Sequence, residues 1–441
     1  MEFEDILIIP PGINFECTGC GNCCLMWPVP VTQSDYLRIT SHLEPLTDEQ
    51  AGLNYFKERD TASSSAAADK LNQFPYILEK QLDGRCTFLT DELRCHLHEN
   101  FGETAKPSMC QLFPYTFTEA PDGFYAGLSF AASGVLFNSG RSLEEQRDFL
   151  KTRLALFKRL FPNLRLDWST IQLYDGQPLK WVDYLLAEKK LLRIFRPLSA
   201  PPEGDDDDDG VTTSNGGIAL TINKQLLMAS TLLTELVPKE VDLDHENLLD
   251  VSPLQTDLVI VRHLLDFFLP ADTYAARRDA FGAHVFKQHL TQPPDIVQML
   301  ISNETSVPLA QICRLKLGHL DDDSEELLRR FVYCRIFGKL YFGAGFGHLS
   351  VISGFHHLGL LVALVRIRLK FLHFYNSHKV GINVNIIEMK MPPVSFVEVA
   401  ELIRGLERRL SSLQYSKEVA VSLQVLLESP LRFARIIALS E

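Results

Sequence analysis

The stretch Cys17-Thr-Gly-Cys20-Gly-Asn-Cys23-Cys24 decides how this chain is read. Its C-x2-C-x2-C spacing lets tight turns aim successive thiolates at one centre from about 2.3 Å. Gly19 and Gly21 stand where such turns need positive backbone angles. The run suits zinc, or three corners of an iron-sulfur cluster. Adjacent Cys23 and Cys24 point apart, as neighbouring side chains do, so one of them serves a second centre or faces the core.

Three more cysteines follow at a distance, in Arg85-Cys86-Thr-Phe-Leu, in Arg94-Cys95-His96 and in Lys106-Pro107-Ser-Met-Cys110-Gln-Leu-Phe113-Pro114. Folding must bring this second group back to the first. The candidate metal ligands are therefore Cys17, Cys20, Cys23, Cys24, Cys86, Cys95 and Cys110. Seven thiols exceed one tetrahedral site, which leaves two metals, or one cluster with spare ligands. His96 and His98 flank Cys95 and are secondary candidates. Single buried cysteines are common in cores, but C-x2-C-x2-C-C is not a core pattern. A disulfide framework would need a secreted chain, and the start Met1-Glu-Phe-Glu-Asp-Ile-Leu-Ile-Ile-Pro is acidic where a signal peptide is basic.

The remaining two cysteines read as core. In Asp323-Ser-Glu-Glu-Leu-Leu-Arg-Arg-Phe-Val-Tyr-Cys-Arg-Ile-Phe337 one helical face carries Leu327, Phe331 and Cys334, and Cys313 is read in the same way.

The 441 residues allow two or three domains, and 46% apolar content is ordinary for a globular protein. A net charge of -13 without a dense basic patch argues against a nucleic-acid partner. The longest apolar run, from Val351 to Val365, is shorter than the roughly 20 residues that span a bilayer. It contains His356 and His357 and reads as a core helix. These features predict a cytoplasmic protein with no membrane segment, whose thiols are kept reduced.

The fold expected is mainly α: an irregular cysteine-rich metal-binding module at the N-terminus, then an α-helical domain. The boundaries read as 1–196 for the cluster domain with its closing helices, 197–217 for an acidic Pro/Gly/Asp-rich linker, and 218–441 for the helical domain. The linker carries the run Asp205 to Asp209, which lacks the oxygen spacing of a calcium loop. A smaller low-complexity insertion runs from Thr61 to Asp69. Ser142 and Glu145 form a capping box ahead of Leu150, Leu154, Phe157 and Phe161, and Pro162 closes that helix. A second box, Ser395 with Glu398, opens a helix marked by Phe396, Val399, Ile403, Leu406 and Leu410. Ile382, Val384 and Ile386 alternate as in a short strand. Gly343-Ala-Gly345-Phe-Gly347 has no preceding strand and reads as a turn between helices, not a nucleotide loop. The Asn303-Glu-Thr305 triplet has no meaning as a glycosylation acceptor in a reducing compartment.

The segment Phe15-Glu-Cys17-Thr-Gly-Cys20-Gly-Asn-Cys23-Cys24, with Cys86, Cys95 and Lys106-Pro107-x-x-Cys110-x-x-Phe113-Pro114, resembles the YkgJ-type cysteine-cluster family, described as zinc- or iron-chelating. The family has Arg where this chain has Lys106, and a further cysteine where this chain reads Ser129-Phe-Ala131-Ala132-Ser133. Trp27, Gly102-Glu103 and Arg404-Gly-Leu-Glu407-Arg408 are similar to flagellin lysine-N-methylases. That resemblance implies a four-iron cluster with an open position for S-adenosylmethionine, and a protein lysine as substrate. No nucleophile elbow, phosphate loop or paired-histidine protease motif accompanies these features.

Three functions follow: a metal-binding cysteine-cluster protein of unassigned reaction, an iron-sulfur-dependent protein lysine methyltransferase, and a thiol redox sensor that releases metal on oxidation. In the first the helical domain binds a partner or covers the site, and in the second it presents a protein lysine.

Overall fold

A computed structural model describes residues 6–25, 27–43, 55–59, 73–201, 214–215, 218–244, 252–269, 297–300, 306–318, 320–379, 391–412, 415 and 417–441. The insertion at 61–69, the triplet at 303–305, the alternation at 382–386 and most of the acidic stretch at 197–217 lie outside the described residues. Contacts divide the chain into two compact units, Met1–Leu166 and Asp167–Glu441.

The first unit holds the cysteines on short elements. Strand Leu7–Ile8 runs parallel to Gly123–Leu128, which pairs antiparallel with Tyr115–Ala120. Pro121 and Asp122 turn that hairpin. A second small sheet places Tyr76–Leu78 between Pro30–Val31 and Phe56–Glu58, both antiparallel to it. Val29, Val31, Ile39, Leu78, Phe88 and Leu97 form the core beneath, with Cys86 buried among them.

Helix Arg147–Leu160 closes this unit and packs against the short helix Ser108–Leu112, which carries Cys110, and against strand Tyr115–Ala120. Its Leu150 and Leu154 are buried. The Glu145 amide donates to Ser142 Oγ at 3.2 Å, as the capping box requires. Regular helix begins only at Arg147, since the residues between form a turn.

The second unit is helical. Helix Val351–Lys379 has no single apolar stripe, and every residue from Val351 to Val365 is buried, as befits a core helix. It is packed by helices Ile222–Thr234, Pro253–Phe268, Leu309–Arg314, Asp322–Phe337, Phe396–Ser412, Lys417–Leu427 and Pro430–Ser440. Among the described residues no helix is long and apolar enough to cross a membrane. The Val351 to Val365 run is thus a core helix. Its buried Lys370 donates to the carbonyls of Cys313 and Leu439 at 3.0 Å each, satisfying acceptors near two helix ends. Burial lowers the ammonium of Lys370 to about 8.

Ser395 and Glu398 make the reciprocal capping box. The Ser395 amide donates to the Glu398 carboxylate at 2.9 Å, and the Glu398 amide donates to Ser395 Oγ at 3.4 Å. Gly343–Gly345 forms a single turn between two helices. Helix Trp181–Ile194, which the sequence reading grouped with the cysteine module, packs on helices Ile222–Thr234 and Asp322–Phe337 within the second unit. An apolar helix stripe does not specify which of two cores it joins.

Candidate metal centre

The Cys17–Cys24 segment runs without regular structure to Cys20 and then enters one turn. Gly19 and Gly21 take φ values of 64° and 68°, the positive angles expected for the C-x2-C spacing. Asn22–Cys24 then forms a 3-10 turn in which the Cys24 amide donates to the Gly21 carbonyl at 2.8 Å. The second cysteine group joins this segment through the backbone. The Cys86 amide donates to the Cys24 carbonyl at 3.1 Å, and Lys80 Nζ donates to the same oxygen at 3.0 Å. Further bridges link Lys80 with Cys86 and Leu89 with Cys95.

Cys110 is held by a contact that spans the unit. Buried Asp35 accepts from the Ser108 amide at 3.1 Å and from Ser108 Oγ at 2.8 Å, fixing the first turn of the Cys110 helix. Asp35 also opens its own helix, where its amide donates to Thr32 Oγ1 at 3.1 Å. The sequence reading missed Asp35. The Thr32-x-x-Asp35 capping pattern was visible, but nothing local reports a partner 73 residues away.

All seven N-terminal cysteines line one cavity of about 960 Å³. Phe15, Trp27, Phe88, Phe113, Tyr115 and Phe149 contribute apolar wall, while Arg94, Arg141, Glu16 and Glu99 bring charge. Those four charges pair among themselves, Arg94 with Glu99 at 3.0 Å and Arg141 with Glu16 at 2.8 Å. His98 also lines the cavity, whereas His96 meets Asn100 at 3.1 Å.

The thiols differ in exposure: Cys86 is buried, Cys17 is exposed, and Cys20, Cys23, Cys24, Cys95 and Cys110 are half-buried. Cys24 is raised far above the ordinary thiol value by its contact with Cys23, 3.9 Å away, then by burial and by the charges of Cys23, Cys86 and Cys110. Cys110 is raised by burial and then by Cys86, with Cys95 and Cys23 also opposing its ionisation. Cys86 is raised chiefly by burial, and Cys95 and Cys23 add to this. Cys23, Cys24, Cys86, Cys95 and Cys110 thus act on one another's ionisation, with Cys23 and Cys24 in contact. Cys20 differs. Burial acts to raise it, but hydrogen bonds with Ser133, Thr18 and the Asn22 backbone outweigh burial and lower its pKa. Its sulfur lies 3.1 Å from Ser133 Oγ, and Ser133 Oγ accepts from Asn22 Nδ2 at 3.2 Å.

A set of soft thiolates suits zinc, copper(I) or iron-sulfur, so the chemistry of the donors fits a thiophilic metal. Their placement is open: among the described residues no three Cys, His, Asp or Glu side chains stand so that they could hold a metal ion. Small sulfur movements within the cavity must accompany binding.

Residues 16–127 match a family model. It is CxxCxxCC, described as a "Putative zinc- or iron-chelating domain". The matched span lies inside the first unit and contains every cysteine that lines the cavity. No curated protein and no solved structure matches the chain, so the likeness to flagellin methylases finds no support there.

Cys313 and Cys334 stand apart from the chelating domain, buried in the second unit, where burial pushes both thiols up to about 12. The histidines of the central helix are likewise structural. His356 bonds Ser230 Oγ at 2.7 Å and the Leu427 carbonyl at 2.6 Å, and His357 meets the Tyr415 hydroxyl at 2.8 Å.

Proposed function

We propose that the first unit is a thiolate chelating module that takes zinc or iron into the cysteine-lined cavity, with Cys23, Cys24, Cys86, Cys95 and Cys110 as the inner donors and Cys17 and Cys20 at the rim. The observation that carries this reading is the convergence of seven thiols, drawn from four separate sequence segments, on one cavity. When bound, zinc would supply a structural or Lewis-acid centre and an iron-sulfur cluster an electron-transfer centre. Around it the protein supplies an apolar wall that excludes water, and Lys80 and Asp35 hold the ligand-bearing backbone in place. All nine cysteines are free thiols, the state in which they can serve as ligands, and this fits our placement of the protein in a reducing cytoplasm.

The test is anaerobic purification followed by elemental analysis and an absorption spectrum. Zinc leaves the protein colourless and an iron-sulfur cluster makes it brown. A chain that carries neither metal, and takes up neither when reduced and reconstituted, would refute the reading.

A second reading draws on the size of the cavity. At about 960 Å³ it is in the range of pockets that enclose small organic ligands, beyond the needs of one ion. S-adenosylmethionine beside a four-iron cluster, the occupant implied by the sequence resemblance to flagellin lysine-N-methylases, would fit such a volume, with methyl transfer to a protein lysine as the reaction. Addition of the cofactor to the reduced protein must then perturb the electron paramagnetic resonance spectrum. An unchanged spectrum removes this second reading and leaves the first intact.

A further inference from the structure

The arm that carries Cys17 and Cys20 is anchored at both ends and loose between them. Before it, the Phe15 amide donates to the Arg141 carbonyl at 3.1 Å, and Gln146 Nε2 donates to the Phe15 carbonyl at 3.1 Å. Gly134 lets the chain press close at this point, since a Cβ there would lie 2.4 Å from the Glu16 carbonyl oxygen. After it, the Gly21 carbonyl and the Cys24 backbone are fixed by the bonds described above. Between these anchors, among the described residues, no backbone hydrogen bond holds Cys17 to Cys20, and a Cβ on Gly19 would meet nothing within 4 Å. Such a segment, short of packing and backbone bonds, is where local motion concentrates.

We infer that Cys17 and Cys20 form an entry pair, which captures a thiophilic metal ion at the rim of the cavity and passes it to Cys23, Cys24, Cys86, Cys95 and Cys110. This rests on the reading of the cavity as a chelating site. Exposed Cys17 is within reach of an incoming ion, while Cys86 is buried and can be met only after entry. Cys20 follows on the same arm, its sulfur 3.1 Å from Ser133 Oγ. The open placement of the donors requires that some sulfurs move on binding, and the arm is the segment free to do so. Each step of the passage breaks one metal-sulfur bond and forms another without change of oxidation state. A thiol that joins the set releases its proton to solvent.

The test uses the full chain, reduced and stripped of metal under inert gas, with zinc as probe and a coloured chelator to follow uptake. The double variant C17S/C20S is expected to load roughly tenfold more slowly than wild type, whatever zinc content it reaches at the end. C86S is expected to end with less zinc. A double variant that loads at the wild-type rate overturns the inference. A wild-type chain that retains no zinc overturns the chelating reading itself, and the inference with it. Alkylation of the metal-free wild type by iodoacetamide provides a readout that needs no variant. Cys17 and Cys20 should label first, and labelling at one common rate across all seven sites would also count against the entry pair.

Discussion

The Cys86 amide donates to the Cys24 carbonyl at 3.1 Å, joining backbone to backbone two cysteine groups that are far apart in sequence. Replacing Cys86 by Ser keeps this bond and removes only the sulfur. Metal content should fall while the far-ultraviolet circular dichroism stays native-like. Cys313→Ser and Cys334→Ser, both in the second unit, should leave metal content at the wild-type level. Elemental analysis of the three variants decides the matter: equal losses across all of them would break the division between ligand and core cysteines.

Asp35 is the strut beneath Cys110. With Asp35→Ala, the Ser108 amide and hydroxyl lose their acceptor in a buried place, which should cost about 1–3 kcal/mol. Because the first turn of the Cys110 helix is freed as well, the variant should also release metal faster to a chelator. Urea unfolding gives the first quantity and the chelator assay the second. A variant that is destabilised yet holds metal as tightly as wild type would show that Asp35 serves the fold alone.

The central helix should confer acid sensitivity. Burial depresses His356 from 6.5 to about 4 and His357 from 6.5 to about 3, so both rings are neutral in the folded protein at neutral pH. Above the unfolded value of 6.5 neither state is protonated and the full stability is present. As pH drops below this, the unfolded chain binds protons that the folded one refuses, and stability declines toward about pH 4. The urea midpoint should therefore be flat above neutrality and fall on acidification. His357→Gln, which can still reach the Tyr415 hydroxyl, should reduce the slope. An unaltered slope would place the acid sensitivity elsewhere.

Lys339 and Glu188 form an ion pair at 2.7 Å, with both side chains buried. Lys339→Met strands the carboxylate beside Tyr184 and should destabilise the second unit by about 3–5 kcal/mol. The double variant K339M/E188Q should regain part of that loss, since removing both charges costs less than orphaning one. Denaturant unfolding of both variants tests this, and a double variant no more stable than the single one would contradict it.

The parts of this molecule that were legible in its sequence are those whose signal is local. The C-x2-C-x2-C spacing with Gly19 and Gly21 announced the positive backbone angles, Ser395 with Glu398 announced a helix start, and the apolar run around His356 announced a buried helix. The hairpin at 115–128 carried a signal that went unread: Tyr115 and Phe117 alternate with polar residues, and Pro121-Asp122-Gly123 supplies the turn. Short strands in a cysteine-rich segment are easily taken for irregular chain. Asp35 beneath Ser108 and Ser133 beside Cys20 were beyond reach, because each acts on a partner 73 or 113 residues distant. Which thiols are buried and which exposed follows from the same long-range closures.

The packing of helix Val351–Lys379 sets an order of events during synthesis. One of its neighbours is the last helix of the chain, Pro430–Ser440, and others come from far upstream. The second unit thus completes its core only when helix Pro430–Ser440 has emerged from the ribosome, whereas the first unit is drawn from residues 1–166 alone. Domains fold as units in the order in which they are made. The seven thiols of the first unit can therefore be brought to one cavity while the helical unit is still being translated.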